Sequence, residues 1–456
     1  MERCPKYIEP TTKINENFEN VFATDKAFAA IKKDGTIIVW GDDSYGGKQS
    51  DVAGQYGVRH IFSNTDSFTA LKQDNTQIIW GGKTFSYLGG KTTDINISSN
   101  IQEINEYIEP YRKSNLFAMY GIHVDTRKIL EESYNSNQSA NIILKTDGTA
   151  TTWGNTTHGG VSSNLTLTNV KEVVTGGKNM TVLKSDGTMD TWSNNTDQST
   201  TATNVKKVVS GLSGNVIALK ADGTVEYWDP DLANWDISSN INTTKLSDLS
   251  GVVDVFAFDN TFAVLDKNDA LTVWGDTNCN IFTNIDSKSS QLTSGIKEVI
   301  ANSKVLIALK YDGTVVTLGN TTLGGDISNN GAQYKLYGGT ADNIANIYLN
   351  NKFAVALKKD RTCVYWGDIS RNTTLFNYDI EKFTNIRDIV YSKDVMIGIK
   401  YDGTIVGLGE KSKGGEPLST IKNVEKVFAT TNNGFTALKT DGIFVVWGDT
   451  SYGGQL

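Results

Sequence analysis

Tryptophan, lysine and aspartate recur in this 456-residue chain at spacings that could do chemistry. Eight of its nine tryptophans stand at Trp40, Trp80, Trp153, Trp192, Trp228, Trp274, Trp366 and Trp447, and only Trp235 falls outside the series. A surface set of indoles could cage a sugar or a methylated ammonium group. Their strict periodicity instead places them in a repeated core. Seven of the eight follow a lysine and an aspartate at a fixed distance, as in Lys32-Lys33-Asp34 before Trp40, and Trp274 follows Asp266 and Asn268 instead. Such residues on one rim would make a ring that binds anions or a partner, or a set of local ion pairs. The second reading is preferred, because exposed pairs are cheap and common. Gly81-Gly82-Lys83-Thr84 and Gly89-Gly90-Lys91-Thr92 invite a phosphate loop, which needs a further glycine where the chain has Gln77 and Phe85. Both are turn glycines. Cys4, Cys279 and Cys363, like His60, His123 and His158, are too scattered for a zinc site or a disulfide framework. No catalytic set, metal site or cofactor site is found, and the chain is expected not to be an enzyme.

The elements that carry these residues are repeats. Ala27 to Gly41 and Gly434 to Gly448 share one frame: Leu/Ile, Lys, any residue, Asp, Gly, Thr, three residues, then Trp or Leu. It occurs ten times, with first apolar residues Ile31, Leu71, Leu144, Leu183, Leu219, Leu265, Leu309, Leu357, Ile399 and Leu438. In every copy the last residue lies nine positions on, and in two copies it is Leu318 or Leu408 rather than tryptophan. The frame predicts a β-hairpin closed by a two-residue Asp-Gly turn with φ > 0. Asn75 and Asp269 tolerate that region in place of glycine, whereas Arg361 predicts a distorted turn. Apolar residues on both faces of the return strand, such as Ile37-Ile38-Val39-Trp40, predict sheets covered on both sides. A third strand precedes each hairpin, marked by two apolar residues around two spacers, as in Val170/Val173 and Val424/Val427. The long gap from Trp80 to Trp153 is read as a degenerate eleventh copy over 101–140, in which 122–132 could also form a short helix.

Units of about 40 residues that cannot bury their own faces must stack. Radial stacking of twisted sheets gives a β-propeller, so the fold class expected is all-β, with three- to four-stranded antiparallel blades. The formal charge of −8 argues against a general nucleic-acid or anionic-membrane surface, and no apolar run is long enough to span a bilayer. The N-terminus has no apolar signal-peptide core. A cytoplasmic or virion-associated location is expected. The division read from the pattern is an N-terminal extension, 1–17, and a repeat array, 18–456. The array is taken as one ring, the alternative being two propellers with a seam near 229–251, where Asp229-Pro230-Asp231 and Trp235 interrupt the pattern.

The frame resembles the regulator-of-chromosome-condensation repeat, especially its short bacterial and viral versions. That pattern places two spaced apolar residues, Gly, His and Ala-Leu before Asp-Gly, then a valine, Trp-Gly and Gly-Gln. Residues 434–454 match it well, and the resemblance covers about 18–456. It departs in two ways. Phe28, Phe68, Phe262, Phe353 or Phe435 replaces the family histidine, and Gly-Gly replaces Gly-Gln, as in Gly46-Gly47, Gly159-Gly160, Gly324-Gly325, Gly414-Gly415 and Gly453-Gly454. The resemblance implies a platform: the family includes an exchange factor and an inhibitor that caps an enzyme through its propeller face. Neither activity is carried over.

On a fixed scaffold, function is expected where loops vary. The candidate partner-binding residues precede the Gly-Gly step or match it in position: Tyr45, Tyr87, His158, Leu323, Lys413 and Tyr452. The function expected is a scaffold that recognises a protein through its loops. The alternatives are glycan attachment, which aromatic loops would allow, and a structural role in a large DNA virus particle, which the Asn/Ile/Lys-rich composition would suit.

Overall fold

The structure, a computed structural model, describes most of residues 18–82 and 134–452, together with Gly454. Residues 229–248, 276–284, 329–339, 369–375 and several shorter stretches lie outside the described residues. The extension 1–17, the degenerate copy over 101–133 and the proposed helix over 122–132 also fall there. The described residues form ten separate antiparallel sheets, one for each frame. The fold is all-β, built of propeller blades. Blade one is Phe18–Ala23, Ala27–Lys32 and Ile37–Gly41; blade ten is Val424–Ala429, Gly434–Lys439 and Phe444–Gly448. Blades four and nine add a fourth strand, Thr200–Ala202 and Phe376–Asn377. The end of the supposed eleventh copy, Tyr134–Ser136, is in fact the first strand of blade three.

The hairpin turn is not a two-residue Asp-Gly turn. Lys32 N donates to Thr36 O at 2.9 Å and Gly35 N to Lys32 O at 2.8 Å, so three residues, Lys33-Asp34-Gly35, connect the strands. Only the last has positive φ, 77° at Gly35, which is the geometry of a type I turn followed by a left-handed residue. Asp34 instead accepts hydrogen bonds from Thr36 N at 2.9 Å and Thr36 Oγ1 at 2.6 Å, fixing the turn through its side chain. The same pair of bonds recurs at Asp74, Asp186, Asp222, Asp312, Asp360 and Asp402. Arg361 does not distort its turn. It takes φ 71°, and its blade makes the usual bonds, Lys358 N to Thr362 O at 2.8 Å and Arg361 N to Lys358 O at 2.9 Å.

The two spacers of the first strand have a structural reason. The register slips there in nine blades, between Phe18 and Asn20 in blade one and between Val424 and Lys426 in blade ten, so a β-bulge lets two successive residues leave the core. First strands of most neighbouring blades lie close against one another, which sets the first strands where the blades converge. Each middle strand is buried on both faces, as expected. In blade one Phe28 and Ala30 pack against blade ten, with Phe444 and Val446, while Ala27, Ala29 and Ile31 pack against blade two, with Ile61 and Phe68. Blade five meets blade six through Ile217, Tyr227, Val255 and Phe262, across the stretch 229–251. Phe28 on Trp40, Phe68 on Trp80 and Phe435 on Trp447 stack at centroid distances of 5.3, 5.2 and 5.4 Å. Each such pair adds about 0.5–1.5 kcal/mol beyond its burial. Phe353 does not share that slot: Ala354 stands opposite Trp366, and Phe353 faces blade nine.

Candidate functional site: two rims of one scaffold

Strands run between two rims. The Lys-x-Asp-Gly turns lie on one, the turn rim; the Gly-Gly loops lie on the other, the loop rim, beside the short link from first to middle strand. Asp42 N donates to Lys26 O at 3.0 Å and Thr24 Oγ1 to Tyr45 O at 3.0 Å, which joins loop and link.

The loop is a built unit. In Asp42–Gly47, Ser44 N donates to Asp42 Oδ1 at 2.9 Å and Gly47 N to Asp42 O at 3.0 Å, around a single 3-10 turn, with Gly46 at φ 94°. Gly325 N to Asn320 O at 2.8 Å, Gly415 N to Glu410 O at 2.9 Å and Gly454 N to Asp449 O at 2.8 Å repeat it. Its first glycine meets the next blade. Indole Nε1 of Trp80 donates to Gly46 O at 3.0 Å, Trp192 to Gly159 O at 3.1 Å, Trp366 to Gly324 O at 2.9 Å and Trp447 to Gly414 O at 3.2 Å. The tryptophan of each of these blades is thus latched to the loop of the blade before it. Trp40, Trp80, Trp192, Trp228, Trp366 and Trp447 are all buried, as the periodic reading expected. The side chains of Trp153 and Trp274 lie outside the described residues.

The candidate residues before Gly-Gly meet different fates. Tyr45 is half-buried against the core between blades one and two, with Lys26 Nζ 4.6 Å from its ring centre. Leu323 packs against the core between blades seven and eight. Lys413 pairs with Glu410 at 3.1 Å and with Asp394 at 3.0 Å. The loops bring these three to one rim but not into contact with one another. Tyr87, His158 and the side chain of Tyr452 lie outside the described residues.

Asp394 is the strongest electrostatic feature of the loop rim, and nothing in the repeat pattern singled it out. Its carboxylate is 3% exposed, takes Lys352 Nζ of blade eight at 2.8 Å and Lys413 Nζ of its own blade at 3.0 Å, and accepts from Asn433 Nδ2 of blade ten at 3.1 Å. Burial alone would raise its pKa. The hydrogen bonds and charges of the two lysines outweigh burial and hold it below the usual carboxylate value. Lys413 is raised in turn, because Asp394 and Glu410 outweigh its own burial. One buried carboxylate therefore straps three blades. Among the described residues no three His, Cys, Asp or Glu side chains gather as a metal site would require.

On the turn rim the frame residues are consumed locally. The aspartates hold their turns, and their carboxyls lie below the ordinary value chiefly through the threonine hydrogen bonds, as at Asp34 and Asp402. Frame lysines find varied partners: Lys184 with Asp190 at 2.7 Å, Lys358 with Asp342 at 2.7 Å, and Lys439 with its own frame acid Asp441 at 2.7 Å. Sequence reasoning missed the hinge between blades on this rim. Gly35 O accepts from Val58 N of blade two at 2.9 Å, and Gly57 O accepts from Gln73 N at 2.8 Å. The Gly57 slot holds Asn169, Asn204, Asn343, Asn385 and Asn423 elsewhere, with φ between 54° and 61°. An Asn or Gly just before every first strand but that of blade three, which follows Ser133, was the available signal.

No protein-family model matches the chain, and no curated protein matches it. Among solved structures it is similar to Prp20p from Saccharomyces cerevisiae, with 12% identity, 53% of this chain and 72% of that chain covered, and a TM-score of 0.32. It is similar to the CRINKLY WD40 ectodomain of the Arabidopsis thaliana receptor kinase ACR4, with 13% identity, 64% and 98% covered, and a TM-score of 0.33. It is also similar to the computationally designed Ika8 protein, with 13% identity, 95% and 97% covered, and a TM-score of 0.35. Likenesses this distant place the chain in no family and assign it no activity.

Proposed function

We propose that the protein is a non-enzymatic scaffold whose propeller rims recognise a protein partner. One observation carries the reading. The residues that repeat are spent on structure, with aspartates in turns, tryptophans in latches and glycines in loops, while the residues that vary between blades stand at the rims of a common framework. That is the arrangement of a recognition surface rather than of a reaction centre. The same proposal takes 18–456 as one ring. The packing of blade ten on blade one supports it, as does that of blade five on blade six across 229–251.

The test recovers the tagged full chain from its native source after mild cross-linking and asks for a stoichiometric protein partner. Recovery of the chain alone would overturn the scaffold. A melting shift with ATP or GTP would overturn its non-enzymatic, nucleotide-free character.

A further inference from the structure

The two rims differ in their exposed aromatic residues. Among the described residues the exposed large hydrophobic side chains are Tyr56, Val253, Tyr311 and Tyr401, at 71, 43, 62 and 53% exposure. All three tyrosines lie on the turn rim. Tyr311 and Tyr401 occupy the same turn position in blades seven and nine, directly after the frame lysine, where blades four, five and ten have Ser185, Ala221 and Thr440. Between them the turn of blade eight reads Lys358-Lys359-Asp360-Arg361, three cations around one acid.

Arg361 sits at φ 71°, at a turn position where seven of the nine described residues are glycine, so it holds a conformation that an L side chain rarely adopts. A strained residue kept against a freely available glycine points to a role for its side chain. Its guanidinium lies 4.1 Å from the ring centre of Tyr401, across the boundary into blade nine. On the other flank Lys359 N donates to Asn343 O at 2.9 Å and Ile344 N donates to Gly313 O of the blade-seven turn at 3.0 Å, which ties the two turns together. The Asp312 carboxyl there is held down first by Thr314 hydrogen bonds and then by Lys310 and Lys359. The three turns therefore form one continuous surface, aromatic at both ends and cationic in the middle. Asp360 stays ionised while it accepts from Thr362 N at 3.0 Å and Thr362 Oγ1 at 2.6 Å, and Lys358 is paired with Asp342, so Lys359 and Arg361 against Asp360 leave this turn with a net positive charge.

We infer that the turn rim over blades seven to nine docks an acidic protein segment, with Tyr311 and Tyr401 as aromatic anchors and Lys359 and Arg361 as its carboxylate-binding cations. Tyrosine and arginine are the side chains that concentrate binding energy at protein interfaces, and a guanidinium presents a fork matched to a carboxylate. A nucleic-acid backbone fits less well, because it would run on past turn after turn of aspartates, whereas a short acidic segment can place its carboxylates on Lys359 and Arg361 and its apolar side chains on the two tyrosines. The inference rests on the scaffold reading but sets the contact on the rim opposite the Gly-Gly loops.

The probe is a fluorescein-labelled peptide alternating Glu and Asp with Leu, followed by anisotropy against the full chain at low salt. Its control is the same peptide with Gln and Asn for the acids. The acidic peptide is expected to bind and the neutral one not to. Arg361→Gly combined with Tyr401→Ser is expected to weaken binding about tenfold, while Lys304→Ala, at an exposed link on the loop rim, leaves it unchanged. Arg361→Gly relieves backbone strain, so a loss of binding is not a loss of fold; a melting midpoint no lower than that of the parent chain checks this. Equal binding of both peptides, no binding of the acidic one, unchanged binding by the double variant, or stronger binding of a labelled oligonucleotide or oligosaccharide would each overturn the site. A natural partner captured equally well by the double variant would sink this rim and leave the scaffold standing.

Discussion

Blades eight and nine stand side by side on the same frame and end differently, one in Trp366 and the other in Leu408, both fully buried. Trp366 donates to Gly324 of the preceding loop, Asn320–Gly325. The loop preceding Leu408 begins at Gly367 and contains no Gly-Gly step. Leu318 of blade seven likewise follows a stretch without one. Both leucines therefore follow stretches without a Gly-Gly step, although such a stretch does not by itself exclude the indole, since Trp228 and Trp274 follow one too. The buried Nε1 of Trp228, which follows a stretch with no Gly-Gly, has no hydrogen-bond partner, and neither has that of Trp40, which meets blade ten. The indole fills the inter-blade site by its bulk, and the latch is an addition made where the preceding loop presents a carbonyl.

The latch can be broken most severely at the indole. Trp366→Ala is expected to cost about 3–5 kcal/mol in chemical denaturation, by emptying a fully buried site between blades. A loss no larger than that of an exposed substitution would show that the tryptophan is not core.

The receiving glycines should then separate. Gly46→Ala would place a Cβ 2.6 Å from Phe68 Cδ2, whereas the Cβ of Gly324→Ala would meet nothing nearer than Trp366 Nε1 at 3.5 Å. Both carry the left-handed cost of about 1–2 kcal/mol. Gly46→Ala adds an overpacking cost of about 1–3 kcal/mol. Equal melting temperatures for the two variants would refute the difference in packing.

Blade nine has a strap where blade eight has a latch, and pH can test it. The pKa of Asp394 is depressed in the fold, so its contribution is present above the unfolded carboxylate value, near about 4, and is lost as pH falls through the lower folded value. Asp394→Asn is expected to cost about 1–3 kcal/mol at neutral pH and to flatten that part of the acid limb of a stability–pH curve. An unchanged acid limb would remove the strap from the account. The smallest effect has the opposite sign. Arg361→Gly is expected to stabilise the chain by about 1 kcal/mol, measured by denaturant midpoint, because glycine takes φ 71° at little cost.

What could be read from the sequence follows the range of each interaction. The ten hairpins were legible because apolar spacing and Asp-Gly chemistry act within a few residues, and burial on both faces followed from the run Ile37-Ile38-Val39-Trp40. The bulge showed only as two unexplained spacers, since a register slip needs its partner strand to be seen. The turn at Arg361 was misjudged because its single left-handed residue is held by hydrogen bonds on both sides and by Tyr401 of the next blade. The latch joins residues 33 to 42 positions apart, beyond any local pattern, although the pairing of Gly-Gly with the next tryptophan was written in the chain. Of the candidate site, Lys413 was found for its variability, but Asp394 was not, because a single aspartate in a link between strands has no periodic signature.

The offset of the latch bears on how such an array can grow. Its donor and acceptor belong to different blades, so no blade is a self-sufficient unit of inheritance. A duplication that begins in one loop and ends at the same point of the next carries an acceptor glycine in at one end and a donor indole at the other, and both meet mates at the joins. That holds for a period that carries both parts, as blades one and ten do, whereas blades four and eight carry the indole without a Gly-Gly step after it. Point changes are different: losing one Gly-Gly step leaves an indole stranded one blade downstream. Trp228 is in that state, with its Nε1 unpartnered, while Leu318 and Leu408 have no donor to strand.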